Sequence, residues 1–389
     1  MMRRAVINAR LVLEDGVRAG GLLIEDGRIA ALLSEAQAPP DDAERIDAGG
    51  RYVAPGLIDI HVHGGGGLAL MTDDALEVRL YARWAVAHGV TGFLVSPAGR
   101  DHAELLRRVE GVTPAVGVTP GEARVLGLHL EGPYINPVRK GAFDPRWLRA
   151  PDVREYEELQ EAADGSIRQV TLAPELPGAL ELIDAVVASG AVAAIGHTDA
   201  TYDEAMRAID RGASHVTHTY NAMRPFGHRD PGVLGAVLTS DALTAELIGD
   251  GAHVGWVAGR VLLRAKGAAR VALVTDAMPL AGTADGEAEW EGTRIRVEGG
   301  KAVRVSDGTI VGGVITMDEA VRNAVAHLAV PLHEAVAMAS TVPARAMRLA
   351  GLGVLAEGAH ADFVVMDHEL RVVETWVAGE RAWMRKPDV

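Results

Sequence analysis

The amino-acid sequence predicts an α/β fold: a (β/α)8 barrel of the TIM type with a small β-sandwich domain built from both chain ends. Three observations lead there. Between residues 53 and 346, short runs rich in Leu, Ile and Val alternate with amphipathic stretches such as DDALEVRLYARWAVAHG and ALELIDAVVASG. Each of those stretches ends in glycine, a helix stop. The apolar runs number eight, and strand–helix alternation at that count suits a closed parallel barrel. The two chain ends, 1–52 and 347–389, instead read as short strands joined by tight turns.

Taken in order, AVINARLVL, EDG and GLLIEDGRIAAL open the chain as strands around two DG dipeptides, which are hairpin turn signals. AQAPPDDAER comes next as a polar loop. The eight barrel strands are then expected at 56–63, 90–96, 124–132, 168–175, 191–198, 214–221, 243–251 and 270–277. Residues 287–310 read as a β-hairpin insertion after the eighth strand. From Gly351 the tail returns to the opening style with GVLAEGAHADFVVMD and RVVETWVAGERAW, so the two ends are expected to pair. A doubly wound open sheet is the alternative, but GGGGLALMTDD after the first strand does not supply the GxGxxG turn such sheets carry.

Composition narrows the function. A net charge of −15 argues against non-specific nucleic-acid binding. No apolar run reaches the roughly 18 residues of a membrane span. Asn8, Arg10, Glu14 and Asp15 interrupt the stretch after MMRR, so no signal peptide is expected and a cytoplasmic location is. Cysteine is absent, so any transition-metal site must use imidazole and carboxylate.

Candidate ligands exist. His61 and His63 stand two apart on the first barrel strand, where alternate side chains share a face. Side chains at the C-terminal strand ends of a barrel face one pocket. Those ends carry His61 and His63, Ser96, Glu131, Glu175, His197, His218, Asp250 and Asp276. Nitrogen and oxygen ligands without sulfur suit Zn, Fe, Mn or Co, and such a site activates water and polarises a carbonyl. Asp276, ending an apolar strand, is placed to move protons. His129, two before Glu131, is expected one layer deeper in a hydrogen-bonded interior role, and His215 in a structural one. His88 beside Gly89 is a helix-end cation. His102, His327, His333, His360 and His368 are expected at the surface, and Glu175 is open between supporting a ligand and ending a strand.

The motifs resemble a known family. PGLIDIHVHG (55–64) is similar to the opening barrel strand of the amidohydrolase superfamily. HLEGPYIN (129–136), LAPE, GHTDATYDEA, THTYNAM (217–223), GDGAHV and LVTDAM resemble the N-acetylglucosamine-6-phosphate deacetylase family within it. The resemblance implies metal ligation by Glu131, His197 and His218, with His61 and His63 completing a second site bridged through Glu131. One or two divalent ions per subunit are thereby implied. So is proton transfer by Asp276. A sugar-phosphate pocket is implied at Ala142, Asn221, Ala222, His253, Val311, Gly312 and Gly313. Arg229 would reach the phosphate from the neighbouring subunit of a homodimer.

One position departs from the family. KGAFDP places Phe143 where many members carry histidine, and phenylalanine cannot donate a hydrogen bond. Either a second metal takes over carbonyl polarisation, or the substrate is N-acetylgalactosamine 6-phosphate instead. Cyclic amidohydrolases of the dihydroorotase type generally bridge their metals with a strand-end lysine, and none of these strands ends in one. A non-catalytic sugar-phosphate sensor would be free to lose Asp276 or a ligand histidine, and this chain has both.

Overall fold

The computed structural model describes residues 3–290 and 292–386. Eight parallel strands form the barrel: β1 Leu57–Asp59, β2 Val90–Val95, β3 Arg124–Glu131, β4 Ile167–Leu172, β5 Val192–Ile195, β6 His215–Val216, β7 Thr244–Ile248 and β8 Val271–Val274. Each pairs with the next in sequence order. Closure comes just above β1 and β8, where Val62 bridges Ala277. There His63 N donates to Ala277 O (2.8 Å) and Asp276 N to His61 O (2.9 Å). The seam that closes the barrel therefore also sets His61, His63 and Asp276 side by side.

The strands are apolar because both faces are covered; every residue of β2 and β3 is buried. The outer helices supply matching stripes. The helix Ala75–Ala85 buries Val78, Tyr81, Ala82 and Ala85, the spacing of one helical face. Asp74 caps its start by accepting from Leu76 N at 2.8 Å. The next turn ends at Gly89 with φ 77°, a conformation glycine adopts without steric cost. Tyr81 packs edge-on against Phe93 of β2, with centroids 4.9 Å apart. Full burial of such a large apolar side chain contributes about 1.5–3 kcal/mol.

Inside the barrel, one end is oily. Ile58, Leu94, Leu126, Val192, Ile248 and Val274 form a cluster plugged from below by Val342, Ala344 and Met347. These last come after the helices Met317–His327 and Leu332–Met338 that return the chain beneath the barrel. The polar residues are thereby confined to the opposite, C-terminal end.

The chain ends build one hydrogen-bonded sheet. Arg3–Leu13, Gly16–Glu25, Arg28–Ser34, Glu44–Asp47 and Tyr52–Pro55 join Phe363–Met366, Val372–Val377 and Glu380–Met384. Phe363–Met366 is welded antiparallel to Tyr52–Pro55. Only Gly56 separates that strand from β1. At the second DG turn, Asp26 and Gly27 have φ of 49° and 75°, the paired positive values of a type I′ hairpin. The sheet has its own core of Val6, Leu22, Ile24, Val53, Phe363 and Trp376. The insertion differs from the expected hairpin. Gly286–Trp290, Thr293–Glu298 and Lys301–Arg304 form a three-stranded meander, because Gly299 and Gly300, both at positive φ, turn the chain back a second time.

Candidate metal centre and pocket

Two groups of ligand atoms meet at the polar end of the barrel: His61, His63 and Asp276, and Glu131, His197 and His218. Within each, the donor atoms lie within 4.8 Å of one another. Glu131 joins them. Its Oε1 lies 3.0 Å from Nε2 of both His197 and His218, and its Oε2 lies 3.1 Å from His63 Nε2. His61 Nε2 stands 3.5 Å from Glu131 and 3.4 Å from Asp276. The backbone is bent to achieve this: His197, His218 and Asp276 have φ of 49°, 26° and 47°. Non-glycine residues held there store about 1–3 kcal/mol each and cluster at functional sites.

The donor set fits a divalent cation. Tautomers are set by the acceptor each ring nitrogen faces. His61 Nδ1 faces Glu246 Oε2 (2.9 Å), His63 Nδ1 faces Ser96 O (3.2 Å) and His197 Nδ1 faces Arg139 O (2.9 Å). Each Nδ1 therefore donates, and in the neutral ring each Nε2 aims a lone pair at carboxylate oxygens. His61 Nε2 is buried with no hydrogen-bond partner. Lone pairs facing lone pairs repel unless a cation stands between them or the rings are protonated. The electrostatic balance of the site carries the same pressure. Burial opposes charge on His63, but Asp276 and Glu131 outweigh it and raise the ring to about 9. Burial also opposes charge on His61, yet Asp276, Glu131 and Glu246 hold it well above its ordinary value. Conversely, burial would raise Glu131, and His61, His197 and His218 hold it well below.

Above the ligands lies a cavity of about 540 Å³. Ala142, Asn221, Ala222, His253, Val311 and Gly312 line it, with Phe143 among them. The Phe143 ring stands edge-on to His197, centroids 5.4 Å apart. His253 is held by Asp250, whose Oδ2 is 2.6 Å from its Nδ1. Burial would lower this imidazole, but Asp250 raises it.

Gly313 and Arg229 are not among the residues that line this cavity. Gly313 is not in the wall; its N–H donates to Asp276 O (2.6 Å), and a Cβ there would meet Thr275 O at 2.2 Å. It therefore shapes the backbone under Asp276. Arg229 is exposed on its loop and absent from the wall of its own chain's cavity. Glu175 turns out to be a support. It accepts from Thr198 Oγ1 (2.5 Å), Asp199 N (2.6 Å) and Asn136 Nδ2 (2.9 Å), bracing the segment after His197. His129 is an interior residue between Ser96 Oγ (3.1 Å) and Thr171 Oγ1 (2.8 Å).

Several residues were not anticipated. Glu246, in the middle of β7, is fully buried beneath the ligands; an acid inside the apolar run LTAELIG was the available signal. Lys140, Trp147, Trp290 and Arg304 also line the cavity. Arg304 donates to Ala142 O (2.7 Å), tying the insertion to the loop after β3. These come from loops and the insertion, where no periodicity marks a position.

Known proteins are similar to this chain over nearly its whole length. The profile of the amidohydrolase family matches residues 52–382. Human N-acetylglucosamine-6-phosphate deacetylase is 38% identical, covering 94% of this chain and 93% of its own. An N-acetylgalactosamine-6-phosphate deacetylase of Escherichia coli O157:H7 is 36% identical, covering 96% and 97%. The structure of a mutant Mycobacterium smegmatis N-acetyl-D-glucosamine-6-phosphate deacetylase, in complex with N-acetyl-D-glucosamine-6-phosphate, is 37% identical with a TM-score of 0.91. That likeness covers 98% of this chain and 100% of the other.

Proposed function

Because the chain belongs to the amidohydrolase family, in its N-acetylglucosamine-6-phosphate deacetylase branch, we propose that it hydrolyses the acetamide of N-acetyl-D-glucosamine 6-phosphate. The products are D-glucosamine 6-phosphate and acetate. The observation that carries this reading is the convergence of two ligand groups on one buried glutamate, at the floor of an open cavity.

Glu131, His197 and His218 would hold one divalent ion, and His61, His63 and Asp276 would hold a second beside it. Zn, Fe, Mn and Co all suit imidazole and carboxylate donors. When bound, such ions supply Lewis acidity to an amide carbonyl and acidify water. The protein's own part is proton movement. Asp276 accepts a proton as water adds to the carbonyl carbon. It then delivers that proton to the amine nitrogen as the C–N bond breaks. Phe143 closes the cavity beside His197 without offering a hydrogen bond, so a bound ion would have to supply carbonyl polarisation.

His253, oriented by Asp250, meets the sugar phosphate together with Asn221 and the backbone of Ala222, Val311 and Gly312. Arg229, exposed and outside its own cavity, supplies charge to the neighbouring subunit of a homodimer. In an acidic protein these local cations must outweigh an unfavourable overall field. The absence of cysteine supports a reducing, cytoplasmic setting; among the described residues no helix is long and apolar enough to cross a membrane. The 36% identical galactosamine relative, together with Phe143, makes the C4 epimer the alternative substrate.

The test is chelation and reconstitution. Chelated protein should release no acetate from N-acetylglucosamine 6-phosphate, and added Zn²⁺, Fe²⁺, Mn²⁺ or Co²⁺ should restore release. Undiminished release after complete metal removal would contradict the proposal.

A further inference from the structure

Among the described residues, Glu246 is the one carboxylate of the barrel interior that touches both ligand groups from below without belonging to either. Its Oε1 accepts from Gln169 Nε2 (2.9 Å) and faces His215 Nε2 (3.1 Å). Its Oε2 accepts from the backbone N–H of His218 (2.9 Å) and faces His61 Nδ1 (2.9 Å). It is fully buried. Four donors surround the two oxygens, so the carboxylate is satisfied on every side. One side chain of β7 thus reaches residues of β4 and β6 and the first-strand histidine.

We propose that Glu246 is the positioning residue that selects the metal-binding tautomer of His61, and with it occupancy of the second ion's site. This rests on the two-ion reading. The chemistry is specific. A neutral imidazole carries one proton. With an acceptor at Nδ1, that proton stays there and Nε2 presents its lone pair to the ion. Without an acceptor the proton moves to Nε2, which then donates to Glu131 or Asp276, 3.5 and 3.4 Å away. A ring protonated at Nε2 cannot ligate through that atom. Groups that hydrogen-bond a ligand histidine in this way typically alter metal affinity 10–100-fold when removed.

The geometry also separates acceptor from charge. The His218 N–H is a backbone donor and cannot reverse. In Glu246→Gln, the amide oxygen must therefore face His218 N, and the same oxygen then faces His61 Nδ1. The new NH2 group turns toward Gln169 and His215. Both can adapt, because Gln169 Oε1 and His215 Nδ1 are buried without hydrogen-bond partners. The Gln169 amide can flip and the His215 proton can shift. Glu246→Gln should then keep the His61 tautomer, whereas Glu246→Met, of similar size, should lose it.

The experiment is a zinc titration of metal-depleted full-length protein against a chromophoric chelator, with bound zinc counted after dialysis. The parent should bind two ions. Glu246→Gln should also bind two, with the weaker affinity changed less than about 10-fold, while Glu246→Met weakens that site by about 10–100-fold. The site of Glu131, His197 and His218, which Glu246 touches only through the His218 backbone N–H, should move less than the other in both variants. Unchanged affinity of both sites in Glu246→Met would overturn the inference, as would Glu246→Gln behaving like Glu246→Met. A parent that binds a single ion would instead overturn the two-ion reading, and the inference with it. Should Glu246→Met not fold, ¹⁵N NMR of the zinc-loaded parent decides. His61 protonated at Nδ1 and ligating through Nε2 is expected, and the opposite assignment contradicts it.

Discussion

Replacing Asp276 by asparagine should remove most of the activity and leave substrate binding in place. The carboxylate sits on the cavity floor, with Oδ1 3.4 Å from Nε2 of both His61 and His63. Burial would raise its pKa, but His61 and His63 lower it. It is therefore ionised at neutral pH and ready to accept a proton. Asparagine has the same shape and can keep an oxygen toward the same atoms, yet it cannot take up and return a proton. General acid–base catalysis is worth about 10²–10⁴-fold, or about 3–5 kcal/mol of barrier. The assay is acetate release at saturating N-acetylglucosamine 6-phosphate, with bound metal counted in both proteins. Because the proton transfer occurs only in the transition state, kcat should fall by that factor with KM unchanged. A metal-replete Asp276→Asn protein with kcat within about 10-fold of the parent, short of the usual worth of such catalysis, would refute the assignment.

Three further outcomes are expected. Phe143→His places a ring nitrogen beside His197 where the parent has only carbon; turnover on N-acetylglucosamine 6-phosphate should drop several-fold, and a switch of preference to the galactosamine epimer would contradict the role given to the metal side. Arg229→Ala should raise KM for the phosphorylated sugar by about 10-fold or more, the weight of a charge-assisted contact, with sedimentation showing the proposed dimer for both parent and variant; an unchanged KM would remove Arg229 from the pocket. Asp318 is opposed by burial but held at about 2, against an ordinary 3.8, by His88 and Arg322. A depressed folded pKa contributes stability that is present above about pH 4 and is lost as pH falls toward 2. The stability gap between parent and Asp318→Asn should shrink by about 2 kcal/mol across that window, and a pH-independent gap in denaturant titrations would contradict it.

The barrel was legible because each strand is buried on both faces and so reads as an apolar run. Each of the eight expected runs overlaps a barrel strand, the fourth strand starting one residue earlier than expected, at Ile167. The candidate ligands were legible for a related reason: a polar residue ending such a run is set toward the pocket end of the barrel, where His63, Glu131, His197, His218 and Asp276 line the cavity and His61 lies buried against them. Reading strand ends alone passed over Glu246, which lies mid-strand, where an acid is tolerated only because four donors from other strands surround it. That compensation is a tertiary fact. The pocket wall was partly legible through motifs: Ala142, Asn221, Ala222, His253, Val311 and Gly312 line the cavity, and the neighbouring Gly313 packs against the backbone of Thr275 and Asp276. Lys140, Trp147, Trp290 and Arg304 sit on loops and the inserted meander, where position depends on how the chain folds over the barrel and not on any local period. Arg229 is exposed and lies outside the wall of its own chain's cavity.

Phosphate dependence is the sharpest test of the proposed deacetylation. The quantity is the ratio of kcat/KM for N-acetylglucosamine 6-phosphate to that for unphosphorylated N-acetylglucosamine, measured as acetate release by the metal-loaded protein. Efficient release from the phosphorylated sugar is expected, with the ratio at about 10²-fold or more, from charge-assisted contacts worth about 1.5–3 kcal/mol each. Equal rates on both sugars, or no acetate from either, would contradict it.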